Sequence, residues 1–356
     1  MKKEFKGKCT GCGANLEFNP EGRNLVCKSC GKAFSFEISE DIAKRKINLN
    51  TSTTEDKVSK DRAILPRCKS CGAIFTGSII GLSSRCEYCG SNLMVEDIST
   101  YPDAVVPFAF GKKSAEDRFK EGIKKKAWVP KSFKKNPNIT SVDSIYIPAY
   151  SFDTDISSCY NGRLYDEDED KEGHTHRHYF NISGSVDTLA RDELIECSEH
   201  ITQSELVSIE PFQLSELKKF SGEYICGYSV EYYNRSVEES ANLVKEVLSR
   251  RVRKQILAKY SYDGVDYLKI DSSYNSSKYA YLLLPTYKFN YTYKKKKYST
   301  IMNGQTGKIG GKMPSAVGKI VFTVLGILFG VGLVGFLIYA IASGMIKMEF
   351  LNNFTN

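Results

Sequence analysis

The sequence predicts a chain of several modules: two small N-terminal β-ribbons, two repeated α+β units with antiparallel sheets, and one C-terminal transmembrane helix. Three observations lead to this prediction. Eight of the eleven cysteines form four CxxC pairs near the N-terminus, a proline-centred motif occurs twice in the middle of the chain, and an uncharged apolar run lies near the C-terminus. At 356 residues the chain is also too long for one ordinary hydrophobic core.

The expected module boundaries follow from where these patterns begin and end. The segment that separates the two ribbons is polar and rich in Ser, Thr, Lys and Asn, so we expect a flexible or loosely helical linker. The modules are 1–40 (first ribbon), 41–62 (linker), 63–100 (second ribbon), 101–205 and 206–315 (the two α+β units), 318–343 (transmembrane helix) and 344–356 (extracytoplasmic tail).

The composition is that of a folded protein in a reducing compartment. The chain is 41% hydrophobic and 12% aromatic, which excludes a disordered protein. A net charge of +8 permits binding to phosphate or anionic lipid without demanding either. The first ten residues are lysine-rich and lack the apolar core of a secretory signal peptide. Cysteines in CxxC pairs suit metal ligation better than disulfides, so we expect most of the chain to face the cytoplasm.

The four CxxC pairs form two matched units. In each unit fourteen residues separate the inner cysteines, and the second unit repeats the first at an offset of 59 residues. Two residues between cysteines let one tight turn direct both sulfurs at one ion, and the glycine after each second cysteine permits the positive φ of that turn. Four thiolates close a tetrahedral site and leave no open position for a substrate. The predicted ligands are Cys9, Cys12, Cys27 and Cys30 in the first unit and Cys68, Cys71, Cys86 and Cys89 in the second.

Short strand-like segments between the cysteine pairs complete the pattern of a zinc ribbon. They are Asn15–Phe18 and Leu25–Val26 in the first unit and Ile74–Phe75 in the second. Units of this size have no core of their own, so the free energy of metal binding is their folding free energy. We expect two structural Zn²⁺ ions, with iron in the same ligand sets as the alternative. The charge between the cysteines is mixed, so neither ribbon is a clear phosphate-binding surface.

The apolar run Ile320–Ala342 contains 23 residues without a charge. At 1.5 Å per residue, a helix of this length spans the roughly 30 Å hydrocarbon core of a bilayer. Lysines precede the run more densely than they follow it, which places the N-terminal region in the cytoplasm. We therefore expect a single-pass, tail-anchored protein of the cell membrane in contact with membrane lipid. Gly326 and Gly330 form a GxxxG motif in this run, and self-association through them is a hypothesis.

The middle of the chain contains a duplication. The segment Ile145–Ile156 aligns with Leu282–Tyr293, with proline, tyrosine and phenylalanine at equivalent positions. A helical pattern precedes each copy, Ser114–Lys126 in the first and Ser236–Leu257 in the second. We expect two α+β units, each with one helix packed on its own small antiparallel sheet. The alternating aromatic residues are interpreted as core rather than as a platform for a ligand.

Two charged patterns could carry chemistry, but a structural interpretation is favoured for both. His174, His176 and His178 alternate along a strand beside the acidic run Asp166–Asp170, and a metal patch is the alternative to a solvated hairpin. The run Lys294–Lys297 could contact nucleic acid or anionic headgroups, and a charged hairpin tip is the favoured interpretation.

No catalytic residue is predicted. The segment Asn303–Lys312 has the look of a phosphate loop, but it lacks the G-x4-G-K-[ST] spacing, and its first two residues favour a tight hairpin turn. No nucleophile stands beside a plausible base in the sequence. The isolated cysteines are expected to be small buried apolar residues. They are Cys159, Cys197 and Cys226.

The layout of nearly the whole chain resembles a family of bacterial membrane proteins described as TFIIB-type zinc ribbon-containing and sometimes labelled primosomal-protein-like. The most specific match is Leu282-Leu-Leu-Pro-Thr-Tyr-Lys-Phe-Asn-Tyr, followed by Tyr298 and by Asn303-Gly-Gln-Thr-Gly-Lys308. The step Tyr224-Ile-Cys-Gly227, followed by Tyr228, also fits. Some relatives in Bacillus-type bacteria lie beside genes for phage-shock-protein-A-like and SPFH-domain proteins. The resemblance implies a membrane-bound adaptor that recruits such proteins during envelope stress.

Closed metal sites and a single anchor favour an interaction protein. The leading hypothesis is a membrane-anchored zinc-ribbon adaptor that recruits cytoplasmic partner proteins to the membrane, and this chain departs from the family by its two ribbons and its lysine-rich tip. The alternative is a membrane-tethered nucleic-acid-binding protein, for which binding would depend strongly on salt. An enzyme in the repeat region is the third hypothesis.

Overall fold

The structure is a computed structural model that describes residues 7–39, 42–51, 81–85, 92–94, 101–170, 172–316, 328–336 and 339–340, with 81–85 and 92–94 described by their backbone alone. The strands are β1 (Leu16–Asn19), β2 (Asn24–Cys27), β3 (Ala33–Phe34), β4 (Arg45–Lys46), β5 (Gly81–Arg85), β6 (Asn92–Met94), β7 (Ala104–Val105), β8 (Asn138–Glu169), β9 (Thr175–Glu196), β10 (Lys218–Lys219), β11 (Ser229–Glu231), β12 (Gly264–Tyr293), β13 (Lys296–Asn303) and β14 (Ile309–Gly310). The helices are α1 (Lys112–Lys125), α2 (Lys131–Lys135), α3 (Gln203–Ile209) and α4 (Val237–Leu257), with one 3₁₀ turn at Leu214–Glu216.

Two very long strands, β8 and β12, form the centre of the molecule. They pair antiparallel from Asn138 opposite Thr292 to Tyr165 opposite Gly264. Irregularities in the register interrupt the ladder at three places, which lets strands of this length bend and twist. Together with nine shorter strands they form an eleven-stranded sheet within the described part of the chain.

The duplicated motif lies at the middle of this ladder. Pro148 pairs with Leu283, and the equivalent Pro285 pairs with Tyr146, so the two copies are related by a pseudo-two-fold axis. The short strand β7 runs parallel to β12 at Leu282, and β11 runs parallel to β8 at the equivalent Ile145. The strand order β10-β7-β12-β8-β11-β5 is therefore symmetrical about the β12–β8 pair.

The two copies share one core, so the prediction of two units with separate small sheets is wrong. Phe119 of α1, which precedes the first copy, stacks on Phe289 of the second copy with ring centroids 4.2 Å apart. Helix α4, which precedes the second copy, packs on β8 and β9 of the first. Its Leu248 is buried in the same cluster as Phe152. Helix α4 thus covers strands of the other copy, and α1 contacts strands of both copies, because pairing between the copies places these strands side by side. The boundaries of the individual domains stay a prediction.

Both helices occupy the expected segments. Helix α4 begins where Ser236 accepts a hydrogen bond from the backbone N–H of Glu239 while the Glu239 side chain accepts from Ser236, which is a capping box. Its residues Val244, Leu248 and Val252 recur at helical spacing and are buried. Helix α1 ends in two lysines, which interact favourably with the negative end of the helix dipole.

The Asn303–Gly307 turn is confirmed as the hairpin turn between β13 and β14. The Asn303 side chain is buried, and its oxygen accepts hydrogen bonds from the N–H groups of Gln305 and Thr306. Its amide nitrogen donates to the carbonyls of Ile209 and Pro211. One asparagine therefore closes the turn and joins it by hydrogen bonds to the end of α3 and to Pro211.

The lysine-rich run is confirmed as an exposed hairpin tip. Lys294 and Lys295 connect β12 to β13 with φ values of 47° and 64°. Positive φ at both central residues is the geometry of a two-residue type I′ turn. All four lysine side chains are exposed.

The described part of the predicted linker lies on the sheet. Strand β4 pairs with β12, and Arg45 forms an ion pair of 2.6 Å with Asp103. Lys44 contacts the carboxylates of Asp153 and Asp192 at 2.7 Å each, and Leu49 is buried in the α4 core. The segment 42–51 is thus held on the sheet by pairing with β12, by ion pairs and by burial of Leu49, and it is not the flexible linker that was expected.

The predicted membrane anchor is contradicted. Within the ranges given above, no helix combines the length and the apolar character that crossing a bilayer requires. Residues 328–336 and 339–340 are helical, and the rest of the predicted span Ile320–Ala342, including Gly326, lies outside the described residues. The prediction of a single-pass, tail-anchored membrane protein is therefore corrected, and the predicted tail 344–356 also lies outside the described residues. Self-association through Gly330 stays a prediction.

We expect that Phe119→Ala lowers the free energy of unfolding by about 3–5 kcal/mol, because it removes a fully buried ring that joins α1 to the other copy. Urea denaturation followed by circular dichroism measures the change. The matched control is Lys120→Ala, an exposed neighbour on the same helix, for which a change within about 0.5 kcal/mol is expected. Equal effects of the two substitutions would contradict the shared core.

Candidate metal centre

Four cysteine sulfurs converge at one end of the N-terminal three-stranded sheet formed by β1, β2 and β3. The Sγ atoms of Cys9, Cys12, Cys27 and Cys30 all lie within 4.8 Å of one another. The Sγ atoms of Cys9 and Cys30 are 3.6 Å apart, and those of Cys12 and Cys27 are 3.4 Å apart. Sulfurs around a tetrahedral ion at 2.3 Å would be about 3.8 Å apart, so this cluster could bind one metal ion.

Two matching turns bring the sulfurs together. Cys9 accepts at its carbonyl from the N–H of Gly13, and Cys27 does the same from Gly31, each at 2.8 Å. Both glycines have φ of +73°, a conformation that side chains rarely tolerate. The expectation that the glycine after each second cysteine adopts the positive φ of the turn is confirmed for this unit. Strands β1 and β2 match the predicted strand segments to within one residue at either end.

Backbone N–H groups of the turns favour the thiolate form. The N–H groups of Cys30 and Ser29 lower the pKa of Cys27 to about 6. For Cys9, burial opposes ionisation, but the N–H groups of Gly11 and Cys12 outweigh it and the pKa is lowered. The backbone N–H of Lys32 acts in the same direction on Cys30, but the neighbouring sulfurs and burial raise the pKa of Cys30 to about 11. A metal ion needs thiolates as ligands, so the turns favour the required form at Cys9 and Cys27.

The three-stranded sheet docks on the large sheet through the segment Tyr224–Tyr228, for which sequence reasoning found no role. The N–H of Phe18 donates to the carbonyl of Cys226 at 2.9 Å, and the Cys226 thiol donates to the carbonyl of Leu16 at 2.9 Å. The Phe18 ring lies against the Tyr224 ring, with centroids 5.4 Å apart. Phe18 is 2% exposed and belongs to the same buried cluster as residues of the large sheet and of α1. The ribbon and the large sheet with its helices, called the body below, therefore share one apolar core.

Gly227 allows this close approach. It has φ of +87°, and a Cβ added there would lie 2.4 Å from Cγ of Glu17. The signal in the sequence was the Cys-Gly step itself, since a glycine after a bulky run marks a turn or a close contact. What the step contacts could not be read from the sequence, because the ribbon lies some two hundred residues earlier in the chain.

A cleft of about 710 Å³ lies between the ribbon and the body. Its lining carries charge of both signs: Glu17 is paired to Lys28, and Asp143, Lys112 and Lys113 line the same cleft. The sequence between the cysteines carries the same mixture of charge, and the expectation that the ribbon is not a clear phosphate-binding surface stays a prediction.

The second cysteine unit is described only in part. Its predicted ligands Cys68, Cys71, Cys86 and Cys89, and the segment Ile74–Phe75, lie outside the described residues. The backbone of its remaining hairpin repeats the first unit: β2 pairs with β3 at Leu25 opposite Phe34, and β5 pairs with β6 at Ser84 opposite Leu93. Both partners are shifted by the same 59 residues. Strand β5 also pairs with β11, so this hairpin extends the large sheet beside the first ribbon.

The other predicted features lie apart from the metal centre. Of the isolated cysteines, Cys197 and Cys226 are buried as expected, whereas Cys159 is exposed. His174, His176 and His178 lie at the tip of the β8–β9 hairpin, with most of each side chain exposed. No contact joins them to the cysteine cluster in the described part of the chain.

Comparison with known proteins shows one relative with the same extent. The chain is 29% identical over 331 residues to the uncharacterized protein YdjG of Bacillus subtilis (strain 168). The aligned region covers 91% of this chain and 94% of YdjG. No family model matches the sequence, and no solved structure matches it.

We expect that Gly227→Ala loosens the ribbon from the body, because a methyl group would overlap Glu17 and strain the backbone. Hydrogen exchange at the Phe18 amide should accelerate, since that amide bonds to Cys226 in the docked state. Gly311→Ala is the matched control: its φ of +85° carries the same backbone strain, but a Cβ there makes only ordinary contacts. Equal exchange rates in the two variants would contradict the docking role.

Proposed function

We propose that the chain is a zinc-binding scaffold protein that holds partner proteins, with the metal maintaining part of the binding surface. The observation that carries the proposal is the four-cysteine cluster: four sulfurs at one ion use every position of a tetrahedral site. Such a site stabilises structure and offers no position for a substrate. The ligand type favours zinc over the hard cations Mg²⁺ and Ca²⁺.

The docked ribbon supports a scaffold over a nucleic-acid reader. Phe18 and Leu16 face the body of the protein and are buried there. The charges at the cleft are mixed, and basic residues do not dominate it. A reader of phosphate would present a positive surface instead.

An exposed apolar surface also supports an interaction protein. In the helical segment 328–336, large apolar side chains are about half to three-quarters exposed. Exposed apolar side chains clustered in this way mark interaction surfaces. They are Leu328, Phe329, Val331, Leu333, Val334 and Phe336.

The finer part of the proposal is two zinc ions per chain, one in each cysteine unit. We expect metal analysis of the purified chain to find two zinc ions. Cys9→Ser/Cys12→Ser should remove one ion, and Cys68→Ser/Cys71→Ser should remove the other, because two ligands are lost from a four-ligand site. Cys159→Ser is the matched control and should keep both ions, since this exposed cysteine lies outside the clusters. A chain that keeps all its zinc in both double variants would contradict the assignment.

The proposed partner proteins are those that the family resemblance implies, SPFH-domain and phage-shock-protein-A-like proteins. We expect the purified chain to bind one of them, and Cys9→Ser/Cys12→Ser to weaken binding at least tenfold through loss of the docked ribbon. Isothermal titration calorimetry measures both affinities. If the chain binds neither protein and binds an oligonucleotide in a salt-dependent way, the scaffold hypothesis is wrong and the nucleic-acid-binding hypothesis takes its place.

A further inference from the structure

The hairpin that joins β8 to β9 extends beyond the rest of the sheet. Strand β12 begins at Gly264 opposite Tyr165, so residues 166–169 of β8 have only β9 as a neighbouring strand. Asp166 lies opposite His178, and Asp168 lies opposite His176. Side chains at directly opposite positions of an antiparallel pair share a face, and positions two residues apart share it as well.

The cross-strand register therefore gathers imidazoles and carboxylates on one face of this two-stranded arm. Arg177, which alternates with the histidines, pairs with Glu167 on the opposite face. The gathered residues are Asp166, Asp168, His174, His176 and His178, with Asp170 at the turn.

Asp170 is held so that one carboxylate oxygen points at two imidazoles. Its Oδ1 accepts hydrogen bonds from the N–H groups of Glu172 and His174, each at 2.9 Å. Its Oδ2 lies 3.1 Å from Nε2 of His176 and 3.4 Å from Nδ1 of His174. Nε2 of His178 lies 3.4 Å from Oδ2 of Asp168. The backbone of the turn thus orients the carboxylate in the way that outer hydrogen bonds orient metal ligands.

These separations match those between ligands of one ion. Nitrogen and oxygen ligands at 2.0–2.1 Å from a tetrahedral ion lie about 3.3 Å apart. In the described hairpin, no three imidazole nitrogen or carboxylate oxygen atoms all lie within 4.8 Å of one another. Binding of one ion by three side chains therefore requires rotation of the exposed imidazoles. Their side chains are between 61% and 69% exposed, so little packing opposes that rotation.

We propose that the tip of the β8–β9 hairpin is a second kind of metal site, one that binds a borderline divalent cation exchangeably through His174, His176 and His178 with Asp168 and Asp170. Imidazole with carboxylate is the donor set that suits Zn²⁺, Ni²⁺, Co²⁺ or Cu²⁺. The site differs from the cysteine cluster in both ligands and exposure, and it does not depend on the scaffold function proposed above.

The test uses the full chain, loaded with zinc and freed of excess metal, titrated with NiCl₂ by calorimetry. We expect one Ni²⁺ per chain with the zinc content unchanged. His176→Ala/His178→Ala should weaken Ni²⁺ binding at least tenfold. Arg177→Ala, on the opposite face of the same arm, should change it less than twofold. His200 is the remaining histidine of the chain and is present in every variant, so it cannot account for a difference in Ni²⁺ binding between them.

Two outcomes would overturn the proposal: no Ni²⁺ binding by the zinc-loaded chain, or equal binding by the wild type and the double histidine variant. Asp170→Asn tests the carboxylate, since the amide oxygen can still accept the turn hydrogen bonds while an amide nitrogen replaces the ligand oxygen. An unchanged affinity in this variant would overturn the role of Asp170. Retained zinc content and circular dichroism show that each variant is folded.

Discussion

The antiparallel pairing of β8 with β12 is the constraint on which the rest of the structure depends. It joins the two copies of a duplicated motif about a pseudo-two-fold axis, with Pro148 and Pro285 at equivalent places in the ladder. Other elements are positioned by it: β7 and β11 flank it at equivalent registers, α4 covers strands of the opposite copy, and α1 contacts strands of both copies. Because each copy completes the core of the other, neither half of the sheet would bury its apolar face alone.

The metal centre is attached to this framework rather than separate from it. The first ribbon buries Phe18 against the segment that precedes β11, and the hairpin of the second unit pairs with β11 itself. A metal-organised ribbon is small and has little core, so contact with a larger body adds the apolar burial that it lacks. A metal ion at the four cysteines, as proposed above, would therefore stabilise a surface shared by the ribbon and the sheet.

Local features of the fold could be predicted because they depend on neighbouring residues. The boundaries of α4 follow from the capping box at Ser236 and from the spacing of Val244, Leu248 and Val252. The hairpin turn at Asn303 follows from local turn chemistry, and the exposed hairpin tip at Lys294 follows from its run of charge. The prediction that each repeat forms its own sheet was wrong. Two equal copies can pair within themselves or with each other, and the local sequence does not distinguish these arrangements. The membrane anchor was predicted from hydropathy alone and is contradicted by the helices of the described residues.

The four cysteines of the candidate metal site could be read from the sequence, since CxxC spacing and a following glycine fix a turn that directs two sulfurs to one point. It also determined that the chain contains a duplication. The structure was needed to show that Cys226 and Gly227 receive the ribbon, and which carboxylate oxygen of Asp170 faces His174 and His176. The physical reason is that these contacts depend on strand register and on docking between distant segments, which are set by burial across the whole sheet rather than by any local pattern.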